Sequence, residues 1–324
     1  LKMIKIAVLC SGGDSQGMNT CVQTIVNMAS VHGIMVMGVR RGFQGLIEDD
    51  LVELTRESVE HIGNLGGCFL KVSRCPEFKT PEGVKKGYDV LLKNRIDYLI
   101  VIGGDGSYRG AIELSELGAK VLTIPGTIDN DLFYTDRSLG FDTAVNNAVR
   151  AIDNIRQTME ANNRGLIVEV MGRNCGHIAL NVGVIVGAHS LAVKEVNTTI
   201  EDIVSDVKQC LQKGILSPIV VVSEAVDYSI DEVKKAVEEK CGIECRSTVI
   251  GYLQRGGEPS VLDRLFAIQF GINAIELITK SVYNVALGVR NNNIFYMKLE
   301  DVYNLDDEFN KLLYRQLRNL HNLK

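Results

Sequence analysis

Three glycine-rich segments hold most of the residues whose types and spacing could do chemistry. They are Ser11-Gly12-Gly13-Asp14-Ser15-Gln16-Gly17-Met18-Asn19, Gly103-Gly104-Asp105-Gly106-Ser107 and Pro125-Gly126-Thr127-Ile128-Asp129-Asn130-Asp131. Glycine lets backbone N–H groups close on an anion, and a following helix N-terminus adds a favourable dipole. The acids within these segments divide the labour. Asp105, between two glycines, is placed to face Mg2+ beside phosphates. Asp129 and Asp131 flank Asn130, and in an extended segment that spacing puts both carboxylates on one side. One can then accept a proton from an attacking hydroxyl while the other holds a metal or a donor. An unperturbed aspartate titrates near ~4 and needs no tuning to act as a base at neutral pH. A turn or helix cap is the plain alternative for any loop aspartate, and for Asp14 it stays open.

These segments need elements to position them, and the apolar pattern supplies them. Ile4–Cys10, Ile34–Val39, Tyr98–Ile102 and Val121–Ile124 are short, β-branched and nearly continuous, the signature of buried parallel strands. Helical patterns lie between them at Met18–Val31, Val84–Asn94 and Ala111–Leu117. A second set follows: a long helix over Thr143–Met159, strands at Leu166–Val170, Leu191–Val193 and Ile219–Ser223, and helices at Ala179–Val186, Ile203–Lys213 and Asp231–Lys240. Then come an apolar run at Val249–Leu253, a helix near Asp263–Thr279, two short strands and a helical pattern from Asp307. The βαβα succession predicts an α/β chain with mostly parallel sheets covered on both faces. Each glycine segment then sits outside the carboxyl end of a strand, where such sheets bind ligands. One glycine-rich turn is most simply a strand–helix connection; three, each with acids or hydroxyls, are not. The first segment is not GxGxxG, which disfavours a dinucleotide fold, and no GxxxxGK[ST] is present.

Bulk properties narrow the classes. The 324 residues predict about two domains, and no linker of Pro, Ser or Gly separates them, so the domains are expected to interleave. A net charge of -5 leaves no electrostatic footprint for nucleic acid. The apolar runs fall short of the roughly 20 residues of a membrane span. No apolar stretch follows a basic start, so no signal peptide is expected; Met3 reads as a natural start, with Leu1-Lys2 as a remnant. The eight cysteines form no CxxC pair and no zinc spacing, and read as free thiols of a cytoplasmic protein.

Taken together, the motifs resemble the 6-phosphofructokinase family, in its ATP-dependent bacterial type. The resemblance rests on SGGDSQGMN at 11–19, GGDGSYRGA at 103–111, PGTIDND at 125–131, VEVMGRNCGH at 168–177, SEAVDY at 223–228 and GYLQRGGEPSVLDR at 251–264. They fall in the family's order and span most of the chain. A GGDG loop alone also occurs in NAD and lipid kinases. The resemblance implies two interleaved three-layer α/β domains: residues 1–140 plus about 254–305 as the larger, nucleotide-binding one, and 141–253 plus about 306–324 as the smaller, sugar-phosphate-binding one. It implies that Gly13, Arg74, Cys75, Gly104, Asp105, Gly106 and Ser107 lie on the nucleotide side, with Asp105 toward Mg2+. Thr127, Asp129 and Asp131 fall at the reacting centre, with Asp129 as general base and Arg74 and Arg173 along the transferring group. Met171, Gly172, Arg173, Glu224, Tyr252 and Arg255, with Thr127 and Asp129, fall around the sugar phosphate. Arg164 and Arg246 match arginines that members of the family supply from a neighbouring subunit, which implies a homotetramer. The implied reaction makes fructose 1,6-bisphosphate and ADP from fructose 6-phosphate and ATP, in the cytoplasm. Pyrophosphate-using members typically carry Asp at the position of Gly106 and Lys at that of Gly126; glycine at both points to ATP.

The chain departs from the family pattern in several places. Tyr252 replaces the usual His beside the sugar's phosphate, exchanging a charged hydrogen bond for a neutral one. The family's GGTFLGSAR-like segment reads GGCFLKVSR, with Lys71 for a glycine, and Cys75 stands where an aromatic residue is common. Of the basic residues that bind an allosteric effector in bacterial members, Arg56, Arg156 and Lys213 match, whereas Gln23, Asn27, Ile215 and Leu216 do not. Weak or absent control by nucleotide effectors is therefore expected. A catalytically weakened paralogue with a binding role, and a kinase for another sugar phosphate, are the alternatives.

Overall fold

The computed structural model describes residues 3–305 and 309–321. The chain divides into two compact units: unit 1 is Leu1–Thr143 with Arg255–Asp306, and unit 2 is Ala144–Gln254 with Asp307–Lys324. The chain passes between them three times.

Unit 1 begins β1 (Lys5–Ser11), α1 (Met18–Val31), β2 (Met35–Val39), α2 (Gly42–Ile47), β3 (Leu51–Leu54), α3 (Pro81–Lys93), β4 (Tyr98–Gly103), α4 (Asp105–Glu116) and β5 (Val121–Pro125). The start of α5 (Phe141–Ala161) leads out of it. Unit 2 holds β6 (Gly165–Val170), α6 (His177–Val186), β7 (Ser190–Ala192), α7 (Ile200–Gln212), β8 (Ile219–Ser223), α8 (Ile230–Cys241) and β9 (Cys245–Val249). The chain returns to unit 1 for α9 (Val261–Thr279), β10 (Val285–Arg290) and β11 (Asn293–Lys298), and α10 (Lys311–Leu320) belongs to unit 2.

The seven-stranded sheet of unit 1 runs β11-β10-β5-β4-β1-β2-β3. Only the β2–β3 and β10–β11 pairings are antiparallel. Ile6, Val8 and Cys10 of β1, with Ile100 and Ile102 of β4, enter the core shared with α1 and α9. Ala7 and Leu9, with Leu99 and Val101, enter the opposite core with α2, α3 and α4. Both faces of every central strand are buried, which is why these strands read as continuous apolar runs rather than alternating ones. Unit 2 repeats the plan with an all-parallel sheet, β7-β8-β6-β9. Ile167, Val220 and Val222 pack against Ile203, Val207, Val233 and Val237 of α7 and α8. Both of those helices start in capping boxes, Thr199 with Asp202 and Ser229 with Glu232.

Four expectations need correction. The helix read at Ala111–Leu117 starts at Asp105, directly after β4, so the second glycine segment is a helix N-terminus and not a free loop. Its glycines suppressed the helical signal. The 127–131 segment is not extended: Asn130 has φ 54°, in the left-handed region. The run Val249–Leu253 is the end of β9 followed by a 3-10 turn over Gly251–Arg255. The C-terminal helix starts at Lys311, capped by the Asn310 side chain, whereas Asp307 lies outside the described residues, as do Leu1-Lys2.

Candidate active site

The three glycine segments of unit 1 leave adjacent strands, β1, β4 and β5, at their carboxyl ends. They lie close enough that backbone and small side chains interlock. A Cβ at Gly103 would collide with the Ser107 side chain, and one at Gly104 would stand 3.2 Å from Thr127 Cβ. Glycine is therefore needed at these two points for close approach. Gly106 differs: its φ is not positive, and a Cβ there would meet nothing within 4 Å. Neither packing nor backbone conformation demands glycine at that position.

Asp105 occupies the first turn of α4, where the helix dipole favours a carboxylate. Arg109, one turn later, holds it with Nε to Oδ2 and Nη2 to Oδ1, each 3.2 Å. The Arg109 guanidinium lies 4.4 Å from the centre of the Tyr303 ring, and the Tyr303 hydroxyl donates to the Asp105 carbonyl at 2.9 Å. Burial, then the nearby Asp105, pushes the Tyr303 hydroxyl far above its ordinary range. Asp105, Arg109 and Tyr303 thus form one assembly around the start of α4. Among the described residues no cluster of three or more His, Cys, Asp or Glu could cage a metal ion. A single half-exposed carboxylate at a helix N-terminus instead fits Mg2+ that arrives on a nucleotide and keeps its phosphate and water ligands.

In the third segment the Asp129 N–H donates to Thr127 Oγ1 at 3.2 Å. Asn130 fixes the bend: its Nδ2 donates to the Asp136 carbonyl at 3.2 Å, and its Oδ1 accepts from Ser138 N at 2.8 Å. The Ser138 hydroxyl donates to the Thr127 carbonyl at 2.7 Å. Because Asn130 is left-handed, a conformation that asparagine tolerates better than most residues, the carboxylates on either side of it do not share a face in the way an extended chain would arrange.

Arg255 lies in unit 1, with Nη2 2.6 Å from Asp14 Oδ1. A side chain at Gly13 would collide with that guanidinium, so Gly13, Asp14 and Arg255 form one cluster. The segment carrying Lys71, Arg74 and Cys75 is tied down upstream. Asn19 of α1 donates to Leu65 O at 3.0 Å and accepts from Phe69 N at 2.6 Å, and Arg41 N donates to Leu70 O at 2.8 Å. Lys71 has φ 63°, in the left-handed region that favours glycine. Arg74 is exposed, and Cys75 is partly buried at the entry to a short 3-10 turn.

In unit 2, Met171, Gly172 and Arg173 follow β6. Glu224 Oε1 accepts from Gly172 N at 2.9 Å and Arg173 N at 2.5 Å, while Gln254 Oε1 accepts from Met171 N at 3.0 Å. Gly172 at φ 154° and Arg173 at φ 55° make a sharp turn that Glu224 holds closed. Desolvation, then the charge of Glu224, raises the Glu169 carboxyl above its usual range. Arg164 and Arg246 also meet, across the β6–β9 pairing. Glu244 Oε2 lies 2.8 Å from Arg164 Nε, and its Oε1 lies 2.7 Å from Arg246 Nη2. That pairing holds the Glu244 carboxyl below its usual range. Tyr252 is 79% exposed on the 3-10 turn. Of the residues matched to an effector site, Arg156 donates to the Val186 carbonyl and Lys213 to that of His321 at 2.7 Å, while Gln23, at a position that does not match, donates to the Val59 and Glu60 carbonyls at 2.7 Å each.

Sequence reasoning passed over Arg109, Tyr303, Asn130, Glu244 and Gln254. Arg109 was findable, because it stands four residues after Asp105, but only once the helix is started at Asp105. Tyr303 reaches Asp105 from 198 residues away and leaves no local signal.

Known proteins resemble this chain over nearly its whole length. A family model for phosphofructokinase matches residues 5–278. A relative from Alkaliphilus metalliredigens, named ATP-dependent 6-phosphofructokinase, is 44% identical over 309 residues, covering 95% of this chain and 97% of the relative. One of the same name from Paenibacillus macquariensis is 45% identical over 310 residues, covering 96% of each. Among solved structures, phosphofructokinase from Saccharomyces cerevisiae superimposes with a TM-score of 0.88 at 27% identity. That match covers 97% of this chain and 50% of the yeast chain, so this chain spans half the length of that protein.

Proposed function

The chain belongs to the phosphofructokinase family, and from that premise we propose that it transfers the γ-phosphoryl group of Mg-ATP to the 1-hydroxyl of fructose 6-phosphate. The products are fructose 1,6-bisphosphate and ADP, in a step of glycolysis carried out in the cytoplasm. The observation that carries the reading is the interlocking of three strand-end glycine segments in unit 1, with Asp105 at a helix N-terminus and Asp129 beside Thr127. Unit 1 is the nucleotide-binding domain in this reading and unit 2 the sugar-phosphate-binding one.

Phosphoryl transfer needs positioning and charge neutralisation more than covalent chemistry. The backbone of Gly13, Gly104, Gly106 and Ser107 lines the phosphates, and the Cys75 segment borders the nucleotide. Asp105 would hold Mg2+, which would supply neutralisation of phosphate charge when bound. Thr127 accepts the Asp129 N–H and so keeps its own hydroxyl hydrogen to donate. Asp129 takes the proton of the attacking hydroxyl, and Asp131 supports it. Arg74 and Arg173 stabilise charge on the transferring group. Glu224 orients the Met171–Arg173 turn and the sugar, with Tyr252 and Arg255 as further sugar-phosphate residues. A homotetramer in which Arg164 and Arg246 serve a neighbour's site is supported by exposed apolar side chains at Tyr252 and Leu253 of unit 2 and at Val261 and Leu265 of unit 1. Engagement of Gln23, Arg156 and Lys213 with backbone carbonyls supports weak effector control; ADP or phosphoenolpyruvate strongly shifting half-saturation would contradict it. Relatives named for the ATP-dependent activity do not favour a weakened paralogue.

The test is a coupled steady-state assay with fructose 6-phosphate and Mg2+, run with ATP and with pyrophosphate. Turnover is expected with ATP alone, falling on the order of 10²–10⁴-fold in Asp129→Asn. No turnover from folded protein, or an Asp129→Asn variant as active as the parent, would overturn the reading.

A further inference from the structure

Asp105 is the only acid of the second glycine segment, and Arg109 holds both of its carboxylate oxygens. Acid first and base four residues later is the favourable order for a pair on a helix, because the acid then stands at the positive end. Tyr303 fixes the base from a distant part of the chain. Its ring lies under the Arg109 guanidinium, 4.4 Å from ring centre to guanidinium carbon, where the negative face of the ring attracts a cation. Its hydroxyl donates to the Asp105 carbonyl at 2.9 Å. Leu299 and Val302, which precede Tyr303, are buried in the same core as Tyr108, Ala111 and Leu114 of α4, and this anchors the backbone that carries the ring. The Arg109 side chain is nevertheless 62% exposed, and an ion pair that open adds little to stability. The transfer reaction as described above gives neither Arg109 nor Tyr303 a role.

We propose that Arg109, held by Tyr303, is the positioning residue of Asp105 and supplies the compensating positive charge whenever the nucleotide site has no metal. The inference rests on the kinase reading, in which phosphates meet the backbone of Gly104, Gly106 and Ser107 beside Asp105. A bare carboxylate at that place repels phosphate. Arg109 cancels its charge, and so would a divalent cation on the nucleotide. The two partners are alternatives, because Arg109 occupies the two oxygens that a cation would use. Metal-free nucleotide therefore meets a neutral pair, whereas a metal-bearing one gives Asp105 a competing partner. Arg109 need not travel when Asp105 lets go, since the Tyr303 ring still holds the guanidinium.

This role has a definite sign. Arg109 should matter for nucleotide without metal and little for nucleotide with it. An arginine that simply bound phosphate would matter for both, and one that only braced α4 would not distinguish them.

The experiment measures Kd for a non-hydrolysable β,γ-imido analogue of ATP by titration calorimetry on the full chain, once with excess Mg2+ and once with a chelator. The proteins are the parent, Arg109→Gln, Asp105→Asn, the double variant and Tyr303→Leu, each checked for folding by urea unfolding. In Arg109→Gln the metal-free analogue should bind on the order of tenfold more weakly, through unrelieved repulsion from Asp105. With Mg2+ the same variant should change by less than about threefold, the range of an exposed ion pair. Asp105→Asn should do the reverse, weakening the analogue with Mg2+ and sparing it without. The double variant should recover metal-free binding, because the charge that Arg109 cancels is gone. Tyr303→Leu should show the Arg109→Gln pattern at smaller size. Equal weakening of both forms in Arg109→Gln, or a double variant that keeps the metal-free loss, overturns the inference and leaves the kinase reading standing. A folded parent that binds the analogue under neither condition refutes the kinase reading, and the inference falls with it.

Discussion

Gly106→Asp should make the protein slightly more stable and much worse at using ATP. A Cβ at this position meets no atom within 4 Å, and the residue is exposed in the first turn of α4. Replacing a helical glycine removes backbone entropy from the unfolded chain, a gain of up to about 1 kcal/mol for alanine and less for aspartate. An acid in the first turn adds about 0.3–1 kcal/mol, partly offset by repulsion from Asp105 next to it. The net is a stabilisation of roughly 0.5 kcal/mol. Against this, a carboxylate near a nucleotide phosphate costs about 4 kcal/mol at 4 Å in a surface-like dielectric. Screening at this exposed helix terminus halves that to about 2 kcal/mol, a fall of roughly 30-fold in kcat/KM for ATP. Gly106→Ala separates the terms, because it should gain stability and keep most of the ATP activity. Urea unfolding and initial rates with ATP and pyrophosphate are sufficient. Unchanged kcat/KM for ATP in the aspartate variant, or destabilisation of both variants by more than about 1 kcal/mol, would refute the reasoning.

Other positions give equally direct expectations. Lys71→Gly should stabilise by about 0.5–1 kcal/mol in urea, because relieving a left-handed lysine outweighs the added freedom of the unfolded chain; a loss would show that the lysine side chain contributes more than its backbone costs. Glu224→Ala should free the Gly172 and Arg173 N–H groups and raise KM for fructose 6-phosphate on the order of tenfold or more, with KM for ATP nearly unchanged. Equal changes in both would place the effect elsewhere. His189 is held neutral, its value lowered from 6.5 to about 4 by burial, then by His321 and Arg156, and its Nδ1 accepts from Ile219 N. The folded state therefore binds fewer protons than the unfolded one in that window. Its contribution is complete above pH 6.5 and is lost as pH falls toward about 4. The loss is at most about 3 kcal/mol, less for its partial exposure, and His189→Gln should flatten the stability profile between pH 6 and 4.

What the residues reveal on their own follows a physical division. Strands buried on both faces announce themselves by length and composition, and the three glycine segments stand at the ends of β1, β4 and β5 as expected because strand ends are legible. Helix α4 was started six residues late because Gly104, Gly106 and Gly110 dilute its apolar period. The bend at Asn130 depends on Ser138 and Asp136, which no periodicity connects to it. The left-handed backbone of Lys71, at φ 63°, leaves no trace in the sequence, because lysine is not a residue that signals that conformation. The Glu244 bridge needs the β6–β9 register to bring Leu166 opposite Arg246, which is tertiary information.

The strand order of unit 1 also sets a schedule for synthesis. β10 pairs with β5, and the Asn284 side chain accepts from Val121 N, 163 residues earlier in the chain. A nascent chain that has made β1 to β5 has an open edge at β5 and lacks the α9 side of its core. It keeps that edge while all four strands of the second sheet emerge. The usual order, in which the first domain folds as soon as it leaves the ribosome, is unavailable. An unpaired strand edge attracts other strands, so translation rate between β5 and β10 becomes a determinant of yield. Slowing synthesis there should increase aggregation of this chain, where it would help a protein whose domains follow one another in sequence.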